Sequence, residues 1–150
     1  MGNKSLAKIY FRLKQDKEGY PPNPWESLWA KSRSDGLYTI DNIPFFIKGI
    51  GPGDVVRAKR EGDMDVFAGL VVASSSSVFR VYVHDEAKVQ NARASFRRLG
   101  VQSELSHVPN LFSIDIPGNA KIDRVLNLLN KGKKSGDWDF EEGVLRHELR

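Results

Sequence analysis

The sequence predicts an α+β protein in which a β-rich first half precedes a second half of alternating strands and helices. Two patterns carry this prediction. In the first half, Ala7, Ile9, Phe11 and Leu13 recur at every second position, which is the repeat of a half-buried strand, and further β-prone runs are separated by turn residues. Beyond the serine run Ser74–Ser77, the spacing of the apolar residues changes from every second position to helical spacing and back, and this change occurs twice. The serines therefore mark either the junction between two predicted subdomains, residues 1–74 and residues 78–143, or the tip of a long hairpin.

Composition excludes several classes of protein. The chain has 150 residues, with 23 basic and 19 acidic side chains and no cysteine, so disulfides, thiolate zinc sites and cysteine nucleophiles are excluded. No apolar run approaches the roughly 18 residues that a membrane-spanning helix needs, and the N-terminus lacks the apolar region of a signal peptide. We therefore expect a cytoplasmic protein that has no contact with membranes and needs no cofactor.

Short strands separated by tight turns are predicted throughout the first subdomain. Asp35-Gly36 lies between two β-prone runs and favours a hairpin, because both residues tolerate the backbone angles of a tight turn. A second hairpin is predicted around Gly62. A sheet of five such strands is typical of a small barrel or rolled sheet, SH3-like in kind. The predicted strands are residues 7–13, 25–32, 37–43, 55–59 and 64–73.

The second subdomain has the predicted order β-α-β-β-α-β, which is that of a ferredoxin-like unit. Right-handed crossovers would place both helices on one face of an antiparallel sheet, with the first and third strands in its centre. Residues 144–150 are predicted to form a tail. The predicted strands are residues 79–83, 101–105, 112–116 and 138–141, and the predicted helices are residues 85–99 and 120–131.

No catalytic, cofactor-binding or metal-ligating residues can be assigned from the sequence. Asp137 and Asp139 could face the same way on a strand, but they alternate with Trp138 and Phe140, as expected of a solvated strand face. No nucleophile elbow of the form G-x-S-x-G is present. We therefore expect a protein that is not an enzyme. An enzyme with an unrecognised site ranks third, after the two binding functions described below. None of the three histidines, His84, His107 and His147, has the spacing of a metal site.

Two groups of side chains are candidates for binding a partner. Aromatic residues dominate binding hot spots, so the first group is the loop and strand aromatics Tyr20, Trp25 and Trp29. The second group consists of basic residues that point away from the apolar stripes of the two predicted helices, lie on their flanks or follow the second helix directly. We expect these bases to share one surface, because both helices lie on the same side of the sheet. They are Arg93, Arg97, Arg98, Arg124, Lys131, Lys133 and Lys134.

Several stretches together resemble a known bacterial family, the domain of unknown function 4265. The resemblance covers most of the chain and implies a small, stand-alone bacterial protein, but it carries no assigned activity. The most specific stretch is Asp41-Asn42-Ile43-Pro44-Phe45-Phe46. The others are Phe11-Arg12-Leu13, Gly19-Tyr20-Pro21-Pro22, Glu26-Ser27-Leu28-Trp29-Ala30, Gly53-Asp54-Val55-Val56 and Trp138-Asp139-Phe140-Glu141-Glu142.

The leading expectation for function is a non-catalytic protein-binding module, most plausibly an immunity-type protein that binds and neutralises a bacterial toxin. The alternative is a nucleic-acid-binding or regulatory module that uses the basic helix face. We expect nucleic-acid binding to be weak or absent. Ser113 and Asp115 stand where an RNA-binding sheet would carry stacking aromatics, and Asp139 and Glu141 on the last strand repel phosphate.

Overall fold

The computed structural model describes residues 6–149, and the chain divides into two units, Met1–Ser74 and Ser75–Arg150. In the first unit, five strands follow one another around a closed barrel. Each strand is antiparallel to the next, and the last returns parallel to the first, which closes the barrel. The strands are β1 (Leu6–Arg12), β2 (Trp25–Ser32), β3 (Tyr38–Ile40), β4 (Val55–Glu61) and β5 (Met64–Val72).

Alternation along β1 and β2 decides which side chains fill the barrel. Ile9 and Phe11 of β1 and Leu28 of β2 are buried, while their sequence neighbours face outward. Phe11 stacks on Phe67 of β5 with ring centroids 4.8 Å apart. The predicted third strand is much shorter than expected, because β3 pairs through only three residues before Asp41.

The second unit has the element order that the sequence predicts. Its sheet has the strand order β7-β8-β6-β9 with every neighbouring pair antiparallel, so the first and third strands are central as expected. A 3-10 turn, Glu86–Lys88, precedes α1, and the Asp85 carboxylate accepts the backbone N–H of Ala87 at 3.0 Å. The elements are β6 (Ser77–Val83), α1 (Val89–Arg97), β7 (Gln102–Leu105), β8 (Leu111–Ile116), α2 (Ile122–Lys134) and β9 (Trp138–Val144).

The end of α2 differs from the prediction. The sequence predicts that the second helix ends at about Lys131, yet the helix continues to Lys134. Gly132 is required inside the helix because Trp138 packs directly on it, so that any Cβ at this position would fall within the indole ring. The indole N–H of Trp138 donates to the Leu129 carbonyl at 3.0 Å, which holds the ring against the helix.

The predicted tail is also different, because its first residues belong to the folded unit. Val144 is the last residue of β9, and the backbone N–H groups of Arg146 and His147 donate to Ser77 Oγ at 2.8 and 3.3 Å. Arg150 lies outside the described residues.

The general prediction of an α+β chain with a five-stranded barrel and few helices is confirmed. The longest helix, α2, has 13 residues. Within residues 6–149, no helix has the length and apolar character that crossing a bilayer requires.

Candidate functional site

The outer face of β1 and β2 carries alternating aromatic and cationic side chains. These residues occupy the positions between the buried ones, so the strand repeat turns them away from the barrel core. We call this surface the aromatic–cationic strip. It consists of Lys8, Tyr10 and Arg12 on β1 and Trp25, Trp29 and Lys31 on β2.

Rings and cations on the strip are paired across the two strands. Lys8 lies directly opposite Trp29, and its Nζ is 5.1 Å from the ring centroid. Arg12 lies directly opposite Trp25, with its Cζ 4.4 Å from the ring. Tyr10 meets Trp25 edge-on at a centroid distance of 6.4 Å. Cation–π attraction of this kind is worth about 0.5–1 kcal/mol at exposed sites, so it favours the position of each cation over its ring without fixing it there.

Acidic side chains stand at the borders of the strip. Glu61, at the end of β4, accepts a hydrogen bond from Arg12 at 2.9 Å. Asp41, after β3, is 3.7 Å from the Lys31 ammonium. Both ion pairs are largely exposed to solvent and contribute little to stability. The three charged side chains of the strip itself are all cationic.

Trp29 is held by the segment that follows β3. Its backbone N–H donates to Asn42 Oδ1 at 2.6 Å, and its carbonyl accepts the N–H of Asp41 at 2.9 Å. Trp29 nevertheless remains 43% exposed. The Trp29 side chain is thus exposed to solvent, while its backbone is hydrogen-bonded to the segment that follows β3.

Glu26 ties the same segment to β2. Its carboxylate is buried and accepts the backbone N–H groups of Phe45, Phe46 and Ile47 at 2.7, 3.1 and 2.8 Å. Sequence reasoning used Asp41–Phe46 only to recognise a family, and it missed this bracing role. The available signal was a glutamate at a position where the β2 alternation requires an inward side chain.

Tyr20 is not part of the strip. Its side chain is 47% exposed and its ring makes an edge contact with Phe46 at 5.9 Å. The Asp16 carboxylate accepts the N–H groups of Glu18 and Tyr20 at 2.9 and 3.0 Å, which shapes this loop. Of the three aromatic candidates, the structure therefore brings together Trp25 and Trp29.

The basic helix residues do not all share one surface, contrary to the expectation. Arg93 donates to the side-chain and main-chain oxygens of Ser103 on β7 at 2.8 and 3.3 Å. Lys133 lies 5.7 Å from the ring of Phe140 on β9. Since β7 and β9 are opposite edges of the sheet, these two cations point to opposite sides. Arg97 follows Arg93 by one helical turn, and the exposed Lys134 ends α2.

Other basic residues do converge between the helices. A cavity of about 320 Å³ lies between α1 and α2, and its charged lining residues are Lys88, Lys131 and the acidic Asp137, with Trp138 beside them. Arg98 and Arg124 fall on the same helix stripes as Lys88 and Lys131, although neither lines this cavity and Arg124 lines the larger one at the start of α2. We call this set of four cations the interhelical basic groove.

A larger cavity of about 680 Å³ lies at the start of α2. Its charged lining is mixed, because Lys121, Arg124 and Arg146 stand beside Asp123 and Glu148. This mixture does not favour a ligand of one charge sign.

His84, at the end of the sheet, binds two acceptors at once. Its Nδ1 is 2.8 Å from the Gly136 carbonyl and its Nε2 is 3.0 Å from Asp139 Oδ2. The hydrogen bond to Asp139, then that to Gly136, raises the pKa of His84 above its ordinary range. The described residues contain no group of three or more histidine or acidic side chains placed to hold a metal ion.

A serine, a histidine and a carboxylate also approach each other at the start of β6. Ser77 Oγ is 2.7 Å from His147 Nδ1, and His147 Nε2 is 2.8 Å from the Pro117 carbonyl. Burial raises the pKa of Asp115, against a hydrogen bond from Ser76 and the nearby His147. Ser77 is wholly buried and accepts two backbone N–H groups, so we assign it a structural role in fixing the C-terminal segment.

Comparison with known proteins identifies a family and a fold. The family described as "Domain of unknown function (DUF4265)" matches residues 26–140. A solved structure of a hypothetical protein from Neisseria gonorrhoeae is similar, with a TM-score of 0.80 and 21% sequence identity, over 96% of this chain and 98% of that chain. At this identity the likeness shows the fold alone. Among curated proteins, none matches the sequence significantly.

Proposed function

The chain belongs to the DUF4265 family, and we propose that it is a non-catalytic protein-binding module. More specifically, we propose an immunity-type protein that binds and neutralises a bacterial toxin in the cytoplasm. The observation that carries the proposal is the aromatic–cationic strip. Trp, Tyr and Arg are the residue types most enriched among binding hot spots, and the strip presents Tyr10, Arg12, Trp25 and Trp29 together.

The rigidity of the strip supports an inhibitor. A surface that is ordered before binding avoids much of the cost of immobilising side chains. Trp29 is fixed through Asn42, and the Phe45–Ile47 backbone through Glu26. Exposed cations beside such anchors speed association with a partner of opposite charge, which an inhibitor of a toxin needs.

The fold proposal is more specific than α+β. We infer that the barrel is SH3-like, since five consecutive strands pair in order around it, and that the second unit is ferredoxin-like. The sheet order β7-β8-β6-β9 with two helices supports the second assignment. Both are scaffold types with many functions, so the functional proposal rests on the strip.

The experiment is affinity capture of the tagged protein from the native bacterium, followed by mass spectrometry. We expect one stoichiometric protein, and we expect Trp29→Ala to weaken its binding by roughly 30-fold or more, as a hot-spot residue does. Tyr82→Ala is the matched control, because Tyr82 is an aromatic side chain in the other unit with the same 43% exposure. Recovery of the tagged chain alone, under conditions that induce toxin expression, would refute the proposal.

The interhelical basic groove favours a second candidate, a nucleic-acid-binding or regulatory module. Lys88 and Lys131 both line the cavity, beside Asp137, and Arg98 and Arg124 fall on the same helix stripes. Four phosphate contacts would make the affinity for duplex DNA fall by roughly 10²-fold between 50 and 200 mM salt. Titration with single-stranded RNA and duplex DNA at 150 mM salt tests this candidate. A dissociation constant below about a micromolar that is lost in K88E/R98E/R124E/K131E would favour it over the first.

A further inference from the structure

We propose that the partner presents an acidic protein segment to the aromatic–cationic strip, an inference that rests on the proposed function. In this arrangement, carboxylates of the partner pair with Lys8, Arg12 and Lys31, and its apolar side chains contact the edges of the tryptophan rings. The strip would then select its partner by charge as well as by shape.

The charge of the strip supports an acidic partner. Its three charged members are cations, and the nearest acids, Glu61 and Asp41, stand at its borders. The pair formed by Arg12 and Glu61 shows that a carboxylate can meet this guanidinium while the guanidinium lies over Trp25. A guanidinium has five N–H donors, so a carboxylate of the partner can bind Arg12 beside Glu61 or in its place.

The ring geometry favours a protein over a single-stranded nucleic acid. Bases bind aromatic platforms by stacking on open ring faces. Here Lys8 lies over the ring of Trp29 and Arg12 lies over the ring of Trp25, so a cation already occupies one face of each ring and a base has less open ring surface on which to stack. A carboxylate instead meets each cation where it already lies. The rings keep the cations ordered, which reduces the entropy lost on binding.

Acidic polymers provide the first test with the protein as it is. The probes are poly-L-glutamate, the random copolymer of glutamate and tyrosine, and a 20-residue oligothymidylate, each titrated at 50 and 300 mM salt. We expect the copolymer to bind more tightly than poly-L-glutamate, because it supplies both carboxylates and apolar surface, and its affinity to fall at the higher salt. Tighter binding of the oligothymidylate than of either acidic polymer would overturn the proposal.

Charge-neutral variants locate the binding. K8Q/R12Q should weaken binding of the copolymer by about tenfold or more, since rim charges set the association rate. K133Q/K134Q is the matched control, because it removes two exposed cations from the other unit. Trp29→Phe gives a second variant that retains an aromatic ring and should weaken binding less than Trp29→Ala. Equal losses in K8Q/R12Q and K133Q/K134Q would show that the binding is non-specific and would overturn the proposal.

Cross-linking separates this inference from the proposed function. Ser27 lies exposed between Trp25 and Trp29, so a photoreactive benzoylphenylalanine at this position reports what contacts the strip. We expect it to cross-link to a segment of the captured protein that is rich in Asp and Glu. A captured partner that K8Q/R12Q still binds at full affinity while Trp29→Ala binds it weakly would overturn the acidic-segment inference and leave the proposed function standing. Failure to capture any stoichiometric protein would count against the proposed function itself.

Discussion

The carboxylate of Glu26 accepts the backbone N–H of Phe45 at 2.7 Å, and it is buried where it does so. Two further N–H groups, of Phe46 and Ile47, donate to the same carboxylate. One side chain of β2 therefore satisfies three consecutive donors in a segment without regular structure. Buried N–H groups need such partners, so this contact decides where the segment after β3 can lie.

Replacing Glu26 should destabilise the first unit. Glu26→Ala leaves three backbone donors without an acceptor and should lower the free energy of unfolding by about 3 kcal/mol, while Glu26→Gln, which keeps one acceptor oxygen, should cost about 2 kcal/mol. Urea denaturation followed by tryptophan fluorescence measures both. Ser27→Ala, at the exposed neighbouring position, should change stability by less than about 0.5 kcal/mol. A stability of Glu26→Ala equal to that of Ser27→Ala would contradict the bracing role.

Gly132→Ala should destabilise the second unit although alanine favours helices. The gain in helix propensity is about 1 kcal/mol, but the new Cβ would overlap the indole of Trp138. Overpacking of this kind costs about 1–3 kcal/mol, and the lost hydrogen bond to Leu129 adds to it. We therefore expect net destabilisation, measured by denaturation with Trp138 as the reporter. Asn130→Ala, at an exposed position of the same helix, should be neutral or stabilising, and the same result for Gly132→Ala would refute the packing argument.

His84 should make stability depend on pH. Its pKa is raised above 6.5, first by the hydrogen bond to Asp139 and then by that to the Gly136 carbonyl. A group whose pKa is higher in the folded state stabilises fully below its unfolded pKa, and this stabilisation is lost as pH rises through the folded pKa. Asp139→Asn should lower the pKa of His84 and weaken this dependence. An NMR titration of the imidazole measures the pKa.

The control for the titration is Glu142→Gln, which removes an exposed carboxylate from the same strand. It should leave the His84 titration nearly unchanged. If Asp139→Asn and the wild-type protein gave superimposable titration curves, the carboxylate would not be the cause of the raised pKa.

Ser77→Ala should release the C-terminal segment. The hydroxyl of Ser77 accepts the N–H groups of Arg146 and His147 and lies 2.7 Å from His147 Nδ1. Without it, the amides of Arg146 and His147 should exchange with solvent at least about tenfold faster, and stability should fall by about 1–3 kcal/mol. Hydrogen exchange read by mass spectrometry measures the first effect. Ser95→Ala on α1 is the control. Unchanged hydrogen exchange of residues 145–149 in Ser77→Ala would show that the Ser77 hydroxyl does not hold the C-terminal segment.

Local repeats of the sequence determined most of the fold. The repeat of two placed Ile9 and Phe11 inside the barrel, and the helical repeat placed Val89, Ala92 and Phe96 on one buried stripe. These predictions succeed because burial selects one face of each element, and the faces are readable from spacing alone. The order of elements in the second unit and its central strands followed from the same repeats and from crossover handedness.

Only the tertiary structure decided how distant side chains meet. The sequence alone does not explain a glycine at position 132 of a helix, whereas the structure shows that Trp138 packs on it. The role of Glu26 in β2 likewise becomes visible only through its hydrogen bonds with the N–H groups of Phe45, Phe46 and Ile47. The basic residues of the helices spread over several directions because the rotation of each helix about its axis is set by core packing. Trp29 faces Lys8 because strand register pairs residues far apart in the chain. Such pairings depend on the free energy of the whole folded unit, which no local repeat encodes.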